Sequence, residues 1–411
     1  MISASEAIKF KLLDSVADKQ SLEETCVHYA KWALAMASIS MPKKIHEMKS
    51  SSAIIEACHK FQKKMPPKQM GTEAMHGAIA AIKASASSSS YDEGCEIEEE
   101  IFMDLLLNSK QGRGYRYAFF AERLSTKRPL PQPIIAQNPD SNFTTQKIKV
   151  FSQPRNSVIG VIGAGTMGSG IALSFLLSRT QYKQVILVDV NPKGLERGTS
   201  FITKTLKKKK KASAIARLFS TTSLQELHSC NLVIEAVYEN LKLKQNIFDQ
   251  LQSIVQDQNA IFASNTSTLS IDAITEKITK PRDKARCAGM HFFSPAHVMR
   301  LVEIVQSSYS APETLGVLRF VTKAIGKVGV VVGNCDGFVG NRMIAPYSTE
   351  SVFVVKDIGT GVGVSMVDDA IGRKNKTGAG FGMAIGPFGK ANQANDFRIY
   401  ASLLNLIVFF T

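Results

Sequence analysis

One run of aliphatic residues ending in glycines does most to limit what this chain can fold into: Ser157-Val-Ile-Gly-Val-Ile-Gly163. It is apolar throughout and short, as a strand buried from both sides must be. The apolar segment 168–179 that follows reads as a helix. The same texture returns at Gln184-Val-Ile-Leu-Val-Asp189, Asn231-Leu-Val-Ile-Glu-Ala-Val237, Ala260-Ile-Phe-Ala-Ser264 and Ala285-Cys-Ala-Gly-Met-His291. Helical stretches separate most of these runs. Apolar strands that alternate with helices predict a parallel sheet covered on both faces.

The first strand runs into Gly163-Ala164-Gly165-Thr166-Met167-Gly168. Gly163 allows a tight turn, Gly165 lets the backbone approach a pyrophosphate, and Gly168 lets the helix pack close to the strand. The helix start then offers free N–H groups and a partial positive charge to phosphates. Asp189 ends the second strand, where a carboxylate accepts hydrogen bonds from ribose hydroxyls and repels a 2′-phosphate. The expected fold is thus a Rossmann-type, doubly wound α/β domain with NAD as its cofactor.

Around that domain the chain changes character. Residues 1–127 read as helical, with apolar residues at three-to-four spacing in Ile54–Phe61 and Ile97–Leu107. Met65-Pro-Pro-Lys and Ala84–Ser90 read as loops. Residues 128–154 carry prolines at 129, 131, 133, 139 and 154 and read as a connector. The dinucleotide domain is expected over 155–334 and a partial helical domain over 335–411.

The 411 residues suffice for two or three domains, and no apolar run reaches the roughly 20 residues a membrane helix needs. Six cysteines without a Cys-x-x-Cys pair indicate neither a disulfide framework nor a zinc site, and no metal is expected. The formal charge of +15 draws on Lys207–Lys211, a solvated helix face or loop, or else a patch for a polyanionic small molecule. No nucleic-acid motif accompanies the basic residues.

Several polar groups fall at predicted strand ends, where open parallel sheets place their ligands. Glu235-Ala-Val-Tyr-Glu239-Asn-Leu-Lys-Leu-Lys244 follows one strand, either as a site or as a helix cap. Ser264-Asn-Thr-Ser267 follows the next, offering a hydroxyl to a substrate oxygen or a nicotinamide, or an ordinary turn. His291 is expected to close the last strand of the sheet. Glu303, twelve positions on, is suited to fix its tautomer and stabilise its protonated form, the pairing a general base needs. His297 has no such partner and reads as structural. Asn334-Cys-Asp-Gly-Phe-Val-Gly-Asn341 opens the helical part, with Asn341 a candidate to reach substrate or a surface residue.

Five stretches between 157 and 347 together resemble the L-3-hydroxyacyl-CoA dehydrogenase family: Val-Ile-Gly-Ala-Gly-Thr-Met-Gly, Val-Ile-Glu-Ala-Val-Tyr-Glu-Asn-Leu, Ser-Asn-Thr-Ser, His-Phe-Phe-Ser-Pro-Ala-His-Val-Met and Gly-Phe-Val-Gly-Asn-Arg-Met. The resemblance implies that His291 is the catalytic base and Glu303 its partner. It implies that Ser267 and Asn341 contact the reacting oxygen, and that Asp189, Glu239, Lys244, Ser267 and Ser294 contact the cofactor. Many relatives have asparagine where Ser294 stands. An acyl-CoA substrate, β-oxidation, and a monomer or weak homodimer are further implications. So is a peroxisomal location, with mitochondrion or cytoplasm as alternatives, although no C-terminal targeting tripeptide is seen. Ile2-Ser-Ala-Ser-Glu-Ala-Ile and Tyr117-Ala-Phe-Phe-Ala-Glu-Arg123 resemble the end of a crotonase domain and the linker helix of bifunctional hydratase–dehydrogenases, the peroxisomal type in particular. The crotonase core itself is not seen, so hydratase activity is not expected. After Gly386-Pro-Phe388 the sequence departs from the family, and an inactive NAD-binding fragment is the alternative reading.

Overall fold

The computed structural model describes residues 16, 21–36, 51–65, 72–131, 156–358 and 364–371. The N-terminal helices are α1 (Leu22–Met36), α2 (Ser51–Lys64), α3 (Glu73–Ser87), α4 (Tyr91–Leu107) and α5 (Lys110–Lys127). A compact unit takes in the chain up to Tyr115, with a small core of Cys58, Met65 and Ile79. Ser90 caps α4 by accepting from Glu93 N, and Glu93 accepts in return from Ser89 N at 2.6 Å, a reciprocal pairing that fixes the helix start. The predicted loop Ala84–Ser90 is shorter than expected. Alanine and serine carry the helix on to Ser87, leaving Ser88–Ser90 outside it. The connector, the glycine-rich stretch 359–382 and the C-terminal tail lie largely or wholly outside the described residues.

Residues 116–368 belong to a second unit. Its centre is one sheet of β1 (Val158–Ile162), β2 (Gln184–Val188), β3 (Leu218–Thr221), β4 (Leu232–Glu235), β5 (Ile261–Ser264), β6 (Cys287–Phe292), β7 (Leu301–Gln306) and β8 (Val328–Gly333). The spatial order is β3-β2-β1-β4-β5-β6-β7-β8. The chain winds outward in both directions from the β1–β4 junction, and β1 to β6 are all parallel. The doubly wound architecture predicted above is therefore present, with a crevice where the winding reverses.

Strand periodicity explains the two covered faces. Ile159 and Val161 enter a core shared with Ile171 and Phe175. Val158 and Ile162, pointing the other way, enter a second core shared with Phe248. Each such side chain contributes about 1.5–3 kcal/mol on full burial. Helices α6 (Thr166–Leu177), α7 (Pro192–Lys208) and α8 (Leu241–Ile254) connect the early strands, and the short helices α9 (Ile271–Ile274) and α10 (Pro281–Ala285) precede β6. After α11 (Pro312–Ala324) and β8 come α12 (Gly340–Ile358) and α13 (Val364–Ile371).

One expectation is corrected. His291 lies on β6, which is not the last strand. β7 runs antiparallel beside it and β8 follows parallel to β7. The chain turns back at 293–300 as a hairpin, and the burial of Leu-Val-Glu-Ile-Val-Gln is that of an interior strand despite its glutamate. On the outer side of this unit Arg300 holds Glu122 of α5 through Nη1–Oε1 and Nη2–Oε2 contacts of 2.7 and 3.0 Å. Both side chains are largely exposed, so the pair is worth at most about 1 kcal/mol.

Candidate active site

The crevice begins at the glycine loop. Gly163 adopts φ +100°, open to glycine at little cost, and its N–H donates to Val188 O at 2.7 Å. A Cβ at Gly168 would collide with the Gly163 carbonyl, whereas one at Gly165 would meet nothing within 4 Å. The space above Gly165 is therefore open, Thr166 beside it is exposed, and Met167 is half-buried. No side chain caps α6 at Gly165, which leaves the helix start for an external acceptor. Asp189 stands next to the loop, its Oδ2 accepting from Ala164 N at 2.8 Å and its Oδ1 from Asn191 N at 2.9 Å. Uncapped amides, an open glycine and an adjacent carboxylate fit the pyrophosphate and ribose of a dinucleotide. Gly168→Ala should force helix and strand apart and cost about 1–3 kcal/mol, whereas Gly165→Ala should leave the melting temperature nearly unchanged and weaken NADH binding in a fluorescence titration, because its methyl enters the space the pyrophosphate needs.

A buried ion cluster supports the next two strand ends. Glu235, closing β4, is fully buried. Its Oε1 accepts from Lys244 Nζ and from Val237 N, both at 2.7 Å, and its Oε2 accepts from Ser264 Oγ at 2.6 Å. Lys244 is buried as well and also faces Glu239 Oε2 at 3.3 Å and Val237 O at 3.5 Å. The Lys244 ammonium thus lies beneath the site, committed to protein acceptors. Glu239 binds the loop after β5, its Oε1 accepting from Thr266 Oγ1 at 2.5 Å, Ser267 N at 2.9 Å and Ser267 Oγ at 3.3 Å. Burial pushes the Glu239 carboxyl upward, but the Thr266 hydroxyl, Lys244 and the Ser267 amide together hold it below the usual carboxylate range.

The third element is the histidine pair. In the antiparallel register His291 on β6 lies directly opposite Glu303 on β7. Such partners have side chains on one face, so a twelve-residue separation becomes a contact. His291 Nδ1 and Glu303 Oε2 are 2.8 Å apart, at residues only 6% and 2% exposed. Glu303 Oε1 accepts from Gly340 N at 2.7 Å and Val339 N at 3.1 Å, where α12 begins. Burial pushes the Glu303 carboxyl up, but the His291 hydrogen bond and the Gly340 and Val339 amides outweigh it, and the net shift is downward. An ionised carboxylate only accepts, so His291 carries its proton on Nδ1 and presents a lone pair on Nε2. That Nε2 has no hydrogen-bond partner among the described residues and is not sealed from solvent.

The same few residues join the two halves of the site. Asn341 Nδ2 donates to Ser267 O at 3.0 Å, one residue beyond the Gly340 amide that Glu303 holds. Ser294 is exposed in the loop after β6, preceding a cis Pro295. His297 packs on Phe201 at 5.6 Å and has no carboxylate partner among the described residues. The Lys207–Lys211 side chains are all exposed, spread over the end of α7 and the following turn. Three contributors lie within stretches singled out in the sequence but received no role there. Glu235 anchors Lys244. Asn265 Oδ1 accepts from Phe292 N at 2.8 Å and ties β5 to β6. Phe293 lies 4.6 Å from the His291 ring and 2.6 Å from where a Cβ on residue 340 would stand, so a side chain there would push the ring aside.

Comparisons with known proteins agree with this geometry. The family model for the NAD binding domain of 3-hydroxyacyl-CoA dehydrogenase matches residues 158–335. The human peroxisomal bifunctional enzyme is 34% identical over 398 residues, covering 94% of this chain and 50% of that protein. The peroxisomal fatty acid β-oxidation multifunctional protein of Arabidopsis thaliana is 33% identical over 405 residues, with the same shares. The chain spans about half the length of the curated relatives it matches. Among solved structures, (S)-3-hydroxybutyryl-CoA dehydrogenase of Ralstonia eutropha is 31% identical with a TM-score of 0.50, over 61% of this chain and 87% of that one. The 3-hydroxybutyryl-CoA dehydrogenase of Escherichia coli is 30% identical with a TM-score of 0.51, over 61% of this chain and 52% of that one. With this sheet order, this glycine loop and these relatives, the chain belongs to the 3-hydroxyacyl-CoA dehydrogenase family.

Proposed function

We propose that this chain oxidises L-3-hydroxyacyl-CoA to 3-oxoacyl-CoA with NAD, as a step of fatty acid β-oxidation. The observation that carries the reading is the buried cross-strand pair of His291 and Glu303, which leaves one imidazole nitrogen without a protein partner. NAD, when bound, supplies a hydride acceptor at its nicotinamide ring. His291 Nε2 takes the proton of the 3-hydroxyl. Glu303 holds the proton on Nδ1 and stabilises the imidazolium that forms. The Ser267 hydroxyl and the Asn341 amide place the reacting oxygen. Gly163 to Gly168 receive the pyrophosphate and Asp189 the ribose hydroxyls. Glu239, steadied by Lys244, and Ser294 complete the cofactor contacts. The exposed lysines 207–211 attract the phosphates of the acyl-CoA.

In this reading residues 155–334 bind NAD, and 335–411 contribute part of the substrate-side helical domain. A peroxisomal location follows the names of the relatives, and a monomer or weak homodimer is the proposed state. No helix among the described residues is long and apolar enough to cross a membrane. Loss of NADH absorbance with acetoacetyl-CoA tests the activity directly. NADH binding with no turnover would replace the proposal with that of a binding fragment.

Acid should act on this site through two carboxylates. The ordinary value is 4.5, and both Glu303 and Glu239 ionise below it in the fold. A carboxyl whose folded pKa is depressed contributes stability that is full above the unfolded value and is lost as pH falls through the folded one. The melting temperature should therefore drop as pH falls below about 4.5, and less steeply in Glu303→Gln.

A further inference from the structure

The loop between β6 and β7 carries Phe293 and Ser294, and one amine spans it. Lys327, immediately before β8, is 8% exposed. Its Nζ donates to Ala296 O and to Met299 O, each at 2.6 Å, and lies 6.0 Å from the Phe292 ring centre. No carboxylate pairs with it among the described residues. Burial without a counter-ion lowers its pKa to about 8. A buried ammonium is costly unless its protons are used, and a methionine of similar length would fill the space without that cost. What the lysine adds is the two carbonyl contacts.

Those contacts act on a loop already gripped from the other side. A Cβ at Gly170 of α6 would stand 3.0 Å from the Ala296 Cβ, and Ser174 Oγ lies 3.4 Å from Ala296 O. Within the loop, Val298 N and Met299 N donate to Pro295 O at 2.9 and 3.0 Å. With Ala296 and Met299 fixed, the chain between them and β6 has little freedom, and Phe293 keeps its tilted contact with the His291 ring. We propose that Lys327 is a positioning residue of this site: by clamping the carbonyls of Ala296 and Met299 it fixes the loop that seats Phe293 against His291 and presents Ser294. The kinetic consequence rests on the dehydrogenase reading; the clamping does not.

The test compares Lys327→Met and Lys327→Arg with the wild-type chain by hydrogen exchange and by kcat per NADH-binding site. In Lys327→Met, amides of residues 293–299 should exchange about tenfold faster while those of β1 keep their protection. Its kcat should fall about tenfold to a hundredfold, with the KM for acetoacetyl-CoA within about twofold. Arginine, which can still donate to two carbonyls, should recover part of both. Unchanged loop exchange, uniformly faster exchange across the sheet, failure to bind NADH, a full kcat despite a loosened loop, or arginine no better than methionine would each overturn the proposal. An inactive wild-type chain would instead sink the dehydrogenase reading, and the exchange comparison would still decide the clamp.

Discussion

Replacing His291 by glutamine should lower kcat for NADH oxidation with acetoacetyl-CoA by about 10²–10⁴-fold, the usual contribution of a positioned general acid or base. NADH affinity should stay within about twofold, because the glycine loop and Asp189 make no contact with the histidine ring. Glutamine keeps a donor for Glu303 but has no basic nitrogen, so chemistry and folding separate. Fluorescence titration with NADH and a melting curve on the same preparation check that separation. An unchanged turnover would remove His291 from the mechanism.

Glu303→Gln should produce the second-largest loss, about 10²-fold or more, for a reason that geometry supplies. The amide can donate to Nδ1, which places the imidazole proton on Nε2 and removes the lone pair that faces the substrate. The amide oxygen can still accept from Val339 and Gly340, so the start of α12 should survive. Glu303→Ala differs: it leaves those two amides and the His291 N–H without an acceptor, at about 1–3 kcal/mol for each group that stays buried. The prediction is a division between variants, with glutamine losing turnover at a small cost in melting temperature, that of the carboxylate charge, and alanine losing both heavily. If glutamine keeps turnover, the carboxylate charge has no part in the chemistry.

β1, β2, β4, β5 and β6 are runs of aliphatic residues bounded by polar ones, and burial on both faces leaves them no other reading. β3 is a half-exposed edge strand, Leu-Phe-Ser-Thr, whose pattern is too short to stand out. β7 was obscured by Glu303, which interrupts an otherwise aliphatic strand where it faces His291. The pair itself was legible, because a histidine and a carboxylate of that spacing invite pairing, but the antiparallel hairpin that makes them neighbours was not. Long-range anchors were beyond reach. Glu235 meets Ser264 across 29 positions and Lys327 meets Ala296 across 31, and nothing local tells which residue each one pairs with. Ser267 and Asn341 stood out as residues, whereas the bond that joins them spans 74 positions.

A double-mutant cycle on kcat reaches the central claim most directly, using the wild-type chain, His291→Gln, Glu303→Gln and the double variant under one set of conditions. If Glu303 acts on the chemistry only by holding the imidazole, its replacement should cost almost nothing once the imidazole is gone, and the double variant should turn over at about the His291→Gln rate. A double variant in which the two single losses multiply would show that histidine and glutamate work independently, and would contradict the account.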